Sequence, residues 1–441
     1  MSTLPTVRRR RSHGPIRWAV DGAVLLAIAG VMMSEFLVDG WVAPVVVSSG
    51  SMATTLLGPH RAVRCPDCGL EFVYDADTSV EVGSVTCPNC GRRGIESNSQ
   101  IAAGDRLLID RATFGWRHPR RWEVALFRCP EHASDYCVKR VVGLPGETIE
   151  IRSGDVYVDG AIARKSLAEQ RALAVLVHDT AWSGGQGNLP NRWSSQPENG
   201  WQLDGTGWRS AADSERINWL NYIHWHRIPG APPTIDVSPV DDDDSYNQTT
   251  SRQLSPVNDL MLIGQLSASG HGTILLKASY GGEAFQIAIE AATGGVSLSR
   301  SDRVVQSIQA APSVLDRPTE VVLSLVDRQL LLAIGGRELL RYPFETLEKP
   351  ARSTTAPFSI GSRGLAVEIG RLQIWRDVHY TSPTRAGTES ATKLGSDEYF
   401  VLGDNSPISR DSRSWTGGEP ISASLLIGRL LHVFRTATDA R

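Results

Sequence analysis

Hydrophobic positions change their rhythm along this chain. A basic stretch, Arg8 to Arg11 and then Arg17, precedes a mostly apolar run over 18–38. A run of that length predicts a helix, and the basic flank predicts a single-pass membrane anchor over 18–38 with a cytoplasmic tail, 1–17, before it. Asp21 and Glu35 confine the uncharged part to 22–34. A cleaved signal peptide or a surface-lying helix are the competing readings, although no small-x-small cleavage site follows Val38. Downstream, short runs bounded by Gly and Pro, such as 42–47, 122–127 and 136–142, read as strands. Apolar runs at 259–266, 273–278, 285–290, 320–326, 329–334 and 367–375 recur at the spacing of an all-β sandwich. A Trp- and Gly-rich stretch holding Trp182, Trp193, Trp201, Trp208, Trp219 and Trp225 comes before them.

At 441 residues the chain exceeds the size at which one core stops growing, so several domains are expected. A net charge of -3 gives no global reason to propose a nucleic-acid partner, and 41% hydrophobic residues support packed cores. The composition changes in blocks. Strand-like segments at 39–60, 101–166 and 395–441 read as one mainly β catalytic domain. A cysteine module over 61–100 and a jelly-roll β-sandwich over 167–394, too long for a loop, interrupt it.

Three blocks suggest chemistry. In SSGSM, Gly50 lets an approaching peptide backbone come close to Ser51, whose hydroxyl needs a neighbouring base to become a nucleophile. In YCVKRVVGLPGE, Lys139 lies in an apolar strand and shares a face with Cys137 and Val141; burial there lowers a lysine's pKa and leaves a neutral amine able to take a proton. Arg140 points the other way and reads as structural. In YFVLGDNSPISRDSRSW, Ser409, Asp411 and Arg413 alternate after a GDN turn, with Asp411 and Arg413 placed as a charge pair.

The cysteine module, C-P-D-C-G followed by C-P-N-C-G, reads as a zinc ribbon in which Cys65, Cys68, Cys87 and Cys90 surround one structural Zn²⁺; two disulfides are the alternative. Cys129 and Cys137 flank a hairpin, as a cross-strand disulfide or as two buried thiols. Tyr222, His224 and His226 alternate and could share a cleft, and Asp241 to Asp244 could hold Ca²⁺ or form a solvated loop.

Taken in order, the three chemical blocks resemble the signal peptidase I family, peptidase family S26, over discontinuous pieces of the chain. The resemblance implies a membrane-bound serine endopeptidase with Ser51 as nucleophile and Lys139 as general base. Ser49 and the Ser51 N–H would form the oxyanion hole, Ser409 would orient the lysine, and Asp411 with Arg413 would brace the site. The GLPGE turn, 143–147, also matches. It further implies no catalytic cofactor, secreted preproteins as substrates, membrane lipid as a partner, and an extracytoplasmic catalytic domain at the cell membrane. Small side chains before the cut would enter shallow pockets walled by Met52 and Val47. This chain departs from the family's SMxPTL in reading SMATTL, with Thr54 where proline would fix the turn. The inserted sandwich resembles concanavalin A-like, laminin-G-like domains through its strand rhythm and LQIWRDVHY, which suggests a carbohydrate or protein ligand by analogy. Competing functional readings are a self-cleaving Ser/Lys protease and a membrane-anchored binding protein on an inactive peptidase frame.

Overall fold

The computed structural model describes residues 15–35, 40–76, 85–96, 100–132, 134–182, 189–205, 207–212, 216–230, 232–248, 252–311, 314–345, 353–381, 391–415 and 419–435. Most of the basic tail and residues 36–38 of the expected anchor lie outside them. The apolar N-terminal run forms a helix, Pro15–Glu35. Among the described residues, no helix is long and apolar enough to cross a membrane. The expected spanning helix over 18–38 is thereby corrected: within the described helix, Asp21 and Glu35 bound the uncharged part to 22–34. From Trp18 to Met33 its apolar side chains are uncovered, Trp18 at 71% and Leu26 at 76% exposure.

The strand-like segments at the two ends of the chain close into one seven-stranded antiparallel sheet. Its order is Val42–Val46, Arg106–Asp110, Leu426–Phe434, Val124–Arg128, Tyr136–Gly143, Glu398–Leu402, Ile421–Ser422. Strands far apart in sequence are thus neighbours, so the chain must return after each excursion. One face packs Val47, Met52, Leu56, Leu107, Ile109 and Leu126; another core joins Ala125, Phe127, Val141, Tyr399, Val401 and Trp415.

The long excursion is a sandwich of two antiparallel sheets. One runs Trp201–Asp204, Gly207–Ser210, Ala366–Arg376, Leu260–Ser269, Thr319–Val326, Gln329–Ile334, Arg337–Pro343, with Val175–Asp179 also on Ala366–Arg376. The other runs Trp193–Gln196, Asn218–Tyr222, Phe358–Arg363, Thr273–Tyr280, Glu283–Glu290, Gly295–Arg300, Arg303–Gln309. Alternating residues of both inner faces form one core, with Trp193, Trp201 and Trp208 inside it. Most of the Trp-rich stretch is therefore part of the sandwich, while Trp182 packs against the cysteine module and Trp225 begins a separate hairpin, Trp225–Ile228 with Thr234–Val237. The strands of this stretch are short and separated by Gly and Pro, which hides their period in the sequence.

Buried ions fasten the sandwich to the body built on the seven-stranded sheet. Lys165 Nζ lies 2.6 Å from Asp327 and 2.9 Å from Asp377, and its head sits 4.6 Å from the Trp122 ring centroid. The cysteine module is smaller still: the hairpin His60–Arg64 with Glu71–Asp75, and two tight turns carrying the thiols.

Candidate active site

Ser51 sits in a single helical turn, Gly50–Met52, at the end of the strand Val42–Val46. Hydrogen bonds fix both shoulders of that turn. Val47 N–H donates to Asp105 O at 2.9 Å, Asp105 N–H to Leu57 O at 2.8 Å, and Leu57 N–H to Asp105 Oδ2 at 2.8 Å. Lys139 comes from Tyr136–Gly143, in register with the small Ala125 on the neighbouring strand. Its side chain crosses to the turn, and Nζ stands 2.6 Å from Ser51 Oγ.

Lys139 is 4% exposed. Burial strips water from its ammonium form and pulls the pKa from 10.5 down to about 8; Asp411 and Asp404 oppose the shift and Arg413 adds to it. An alkylamine in this state can hold or release a proton near neutrality. Ser49 Oγ donates to Ser51 Oγ at 3.3 Å, so a second hydroxyl borders the first.

The third block forms the back of the site. Arg413 grips Asp411 with two bonds, Nε to Oδ1 at 2.8 Å and Nη2 to Oδ2 at 2.7 Å, and Asp411 Oδ2 also accepts Gly403 N–H at 2.9 Å. Burial raises the Asp411 pKa, but the Arg413 bonds outweigh it and leave the carboxyl below its usual value. Ser409 is buried beside Gly403. A Cβ on Gly403 would lie 2.1 Å from Ser409 Oγ and 2.4 Å from Ser51 O, so only glycine fits between them. Ser409 turns to Asp411, whose carboxyl its hydroxyl helps to hold ionised, and makes no hydrogen bond to Lys139 among the described residues. The GLPGE turn is closed by Glu147 Oε2, which accepts Leu144 N–H at 2.7 Å.

Two expectations are corrected. The space that Gly50 opens is not left for a peptide backbone: a Cβ there would meet Tyr246 Cε1 at 2.3 Å, because the inserted domain lays that ring on the turn. Met52 and Val47 are buried and not set at the surface as pocket walls. Met52 is 1% exposed and both pack into the sheet's core, since the short helical turn rotates Met52 away from the surface that carries Ser51 Oγ.

Other functional neighbours were not singled out from sequence. Arg140 is indeed structural, donating to Asp404 Oδ1 at 2.8 Å and Oδ2 at 2.5 Å inside the core. An arginine in an apolar strand demands such a partner, so the acid of the GDN turn was findable. Asn405, Tyr246 and Asn247 carried no local signal. Tyr222 and His224 form a buried pair, Oη to Nδ1 3.0 Å, and His226, beside Asp241, meets the His224 ring edge-on at 5.2 Å between centroids and lines the same cavity as His224. The acidic run is an ordered loop: Asp242 pairs with Arg252 at 2.6 Å, and Asp244 caps the turn Ser245–Asn247.

Cys65, Cys68, Cys87 and Cys90 are free, buried and gathered so that their sulfurs lie within 4.8 Å of one another. Cys65 and Cys90 sulfurs are 3.5 Å apart, and those of Cys68 and Cys87 3.6 Å, too far for a covalent bond. Four thiols on two tight turns match the donor set of a tetrahedral metal centre. Cys129 and Cys137, by contrast, are joined as a disulfide.

With this geometry in view, the chain is similar to hydrolases of the signal peptidase class. A family model described as "Signal peptidase, peptidase S26" matches residues 83–194 and 359–434. Among particular relatives, Signal peptidase I V of Bacillus subtilis is 31% identical over 88 residues, 20% of this chain and 51% of that protein. Probable signal peptidase I-2 of Synechocystis sp. is 34% identical over 65 residues, 14% of this chain and 30% of that protein. The chain thus spans about half or less of the length of these relatives. Among solved structures, the carbohydrate binding module CBM66 from Bacillus subtilis covers 42% of this chain and 95% of its own at 8% identity, TM-score 0.28. The VIP36 exoplasmic/lumenal domain covers 44% and 86% at 9% identity, TM-score 0.30. The sandwich is defined by its own strand order.

Proposed function

We propose that this protein is a serine endopeptidase that removes signal peptides from secreted preproteins, with Ser51 as nucleophile and Lys139 as general base. The observation that carries the reading is the approach of a dry lysine amine to within 2.6 Å of the serine oxygen. The matches to signal peptidases support the substrate class.

In this reading neutral Lys139 accepts the Ser51 proton as Oγ attacks the scissile carbonyl carbon. The oxyanion that forms is met by the Ser49 hydroxyl and the Ser51 N–H; each donor in such a hole contributes about 3 kcal/mol. Collapse breaks the C–N bond, and the lysine's proton leaves on the new amine. Water then attacks the ester while Lys139 again takes a proton, which releases the acid and restores Ser51. The strand Val42–Val46 lies at one end of its sheet and contains Pro44, as an edge strand tolerates. An extended substrate paired with its outer edge would run directly towards Ser51.

Cleavage of a peptide spanning an Ala-x-Ala site tests the assignment. Wild-type protein is expected to cut it, and Ser51→Ala and Lys139→Ala to lose at least about a thousandfold in kcat. Undiminished cutting by either variant would overturn the reading.

The uncovered apolar helix Pro15–Glu35 supports attachment to the cell membrane, with the peptidase body on the extracytoplasmic side, where the Cys129–Cys137 disulfide is stable. Full-length protein is expected to float with lipid vesicles and protein lacking residues 1–38 to remain behind; flotation of both would remove the helix from that role. The four-thiol cluster fits Zn²⁺ held by Cys65, Cys68, Cys87 and Cys90, as a structural ion that uses all four positions and takes no part in the reaction.

A further inference from the structure

We infer that Asn247, which belongs to the inserted segment and not to the peptidase-like sheet, is a positioning residue for Ser51. The inference rests on the reading of Ser51 as nucleophile. Asn247 and Asn405 form a reciprocal amide pair: Asn247 Nδ2 donates to Asn405 Oδ1 at 2.6 Å, and Asn405 Nδ2 donates to Asn247 Oδ1 at 2.9 Å. Asn405 Nδ2 also donates to Gly50 O at 2.9 Å, and its backbone N–H donates to Ser51 O at 3.1 Å. A primary amide has two N–H bonds. By taking one of them, and by holding the amide oxygen, Asn247 aims the other at the turn that carries Ser51. The pair is buried, so water does not readily replace a lost partner.

The segment that supplies Asn247 is held from three sides. Tyr246 is fully buried, with its ring on Gly50 and packed with Ala53, Leu57 and Val73. Arg376, the last residue of the sandwich strand Ala366–Arg376, donates to the carbonyls of Asp242 and Asp243 at 3.1 and 2.7 Å. Gln248 exchanges two hydrogen bonds with the Thr86 backbone, 3.0 and 3.1 Å, one residue before Cys87. The sandwich and the cysteine module thus both press this turn onto the site. The insertion completes the support of the Ser51 turn and is not an appendage.

Kinetics of Asn247→Ala and the isosteric Asn247→Asp in the full chain, with the Ala-x-Ala peptide and active-site titration, test this. The carboxylate of Asn247→Asp keeps the volume but sets an oxygen against Asn405 Oδ1. Loss of aim by a fraction of an ångström is expected to lower kcat about 10- to 100-fold. KM and the midpoint of the pH profile are expected to stay unchanged, because neither the edge strand nor the burial of Lys139 is touched. Unchanged kcat per titrated site in the folded Asn247→Asp protein would overturn the inference. So would a loss of total activity that only mirrors a smaller titratable fraction. If wild type does not cut, or Ser51→Ala cuts equally well, the peptidase reading itself falls, and the inference with it.

Discussion

A lysine in water titrates near 10.4, so at neutral pH barely one molecule in a few thousand carries a free amine. At position 139 the strand buries the side chain, and the proton is held only to about 8. Moving from 10.5 to about 8 corresponds to about 3 kcal/mol of folding free energy, set against the work an available base can do. Below pH 8 the folded chain bears that penalty in full. Between about 8 and 10.5 the unfolded chain binds a proton that the folded chain does not, so stability rises with pH across that window. Lys139→Met, which keeps the bulk without the charge, is therefore expected to raise stability by up to about 3 kcal/mol at pH 7, with the gain shrinking above pH 8. Denaturant titrations at both pH values check this; an unstable Lys139→Met protein would mean that the amine's contacts outweigh its dehydration. Ser51, Lys139, Asp411 and Arg413, which the fold brings close together, could be picked out because each sits in a short motif with its own chemistry. Asn247 was not, because its role depends on a contact to Asn405 across the fold.

At the level of elements, the apolar run bounded by turn residues exposed the long sandwich strands and the lysine strand, several of which are buried on both faces, as Thr319–Val326 and Gln329–Ile334 are. It failed where strands are short, as in Trp193–Gln196, Trp201–Asp204 and Gly207–Ser210, where only one or two side chains face inward. The cysteine module was read from spacing alone, and the choice between metal and disulfides turns on geometry: sulfurs 3.5 and 3.6 Å apart in a single cluster. Purified protein is expected to contain one Zn²⁺ per chain, and Cys87→Ser to lose the ion and melt at lower temperature. Metal analysis checks it. Protein that binds no zinc and shows no free thiols would point to disulfides instead.

For the molecule as a whole, the peptidase-like sheet is assembled from the two ends of the chain, and the sandwich is clamped to it by Lys165 between Asp327 and Asp377. No local pattern reports which segments will be neighbours in such a sheet. What the sequence supplied was the order of the chemical blocks, and the fold brings them to one point. The central claim is that this point holds a serine and a lysine that is uncharged when it acts. The pH dependence of kcat/KM for the Ala-x-Ala peptide measures that most directly, since it titrates the base in the free enzyme. The rate is expected to climb about tenfold per pH unit below 8 and to level off above an apparent pKa of about 8. A flat profile through that range, or one that falls as the amine loses its proton, would contradict it.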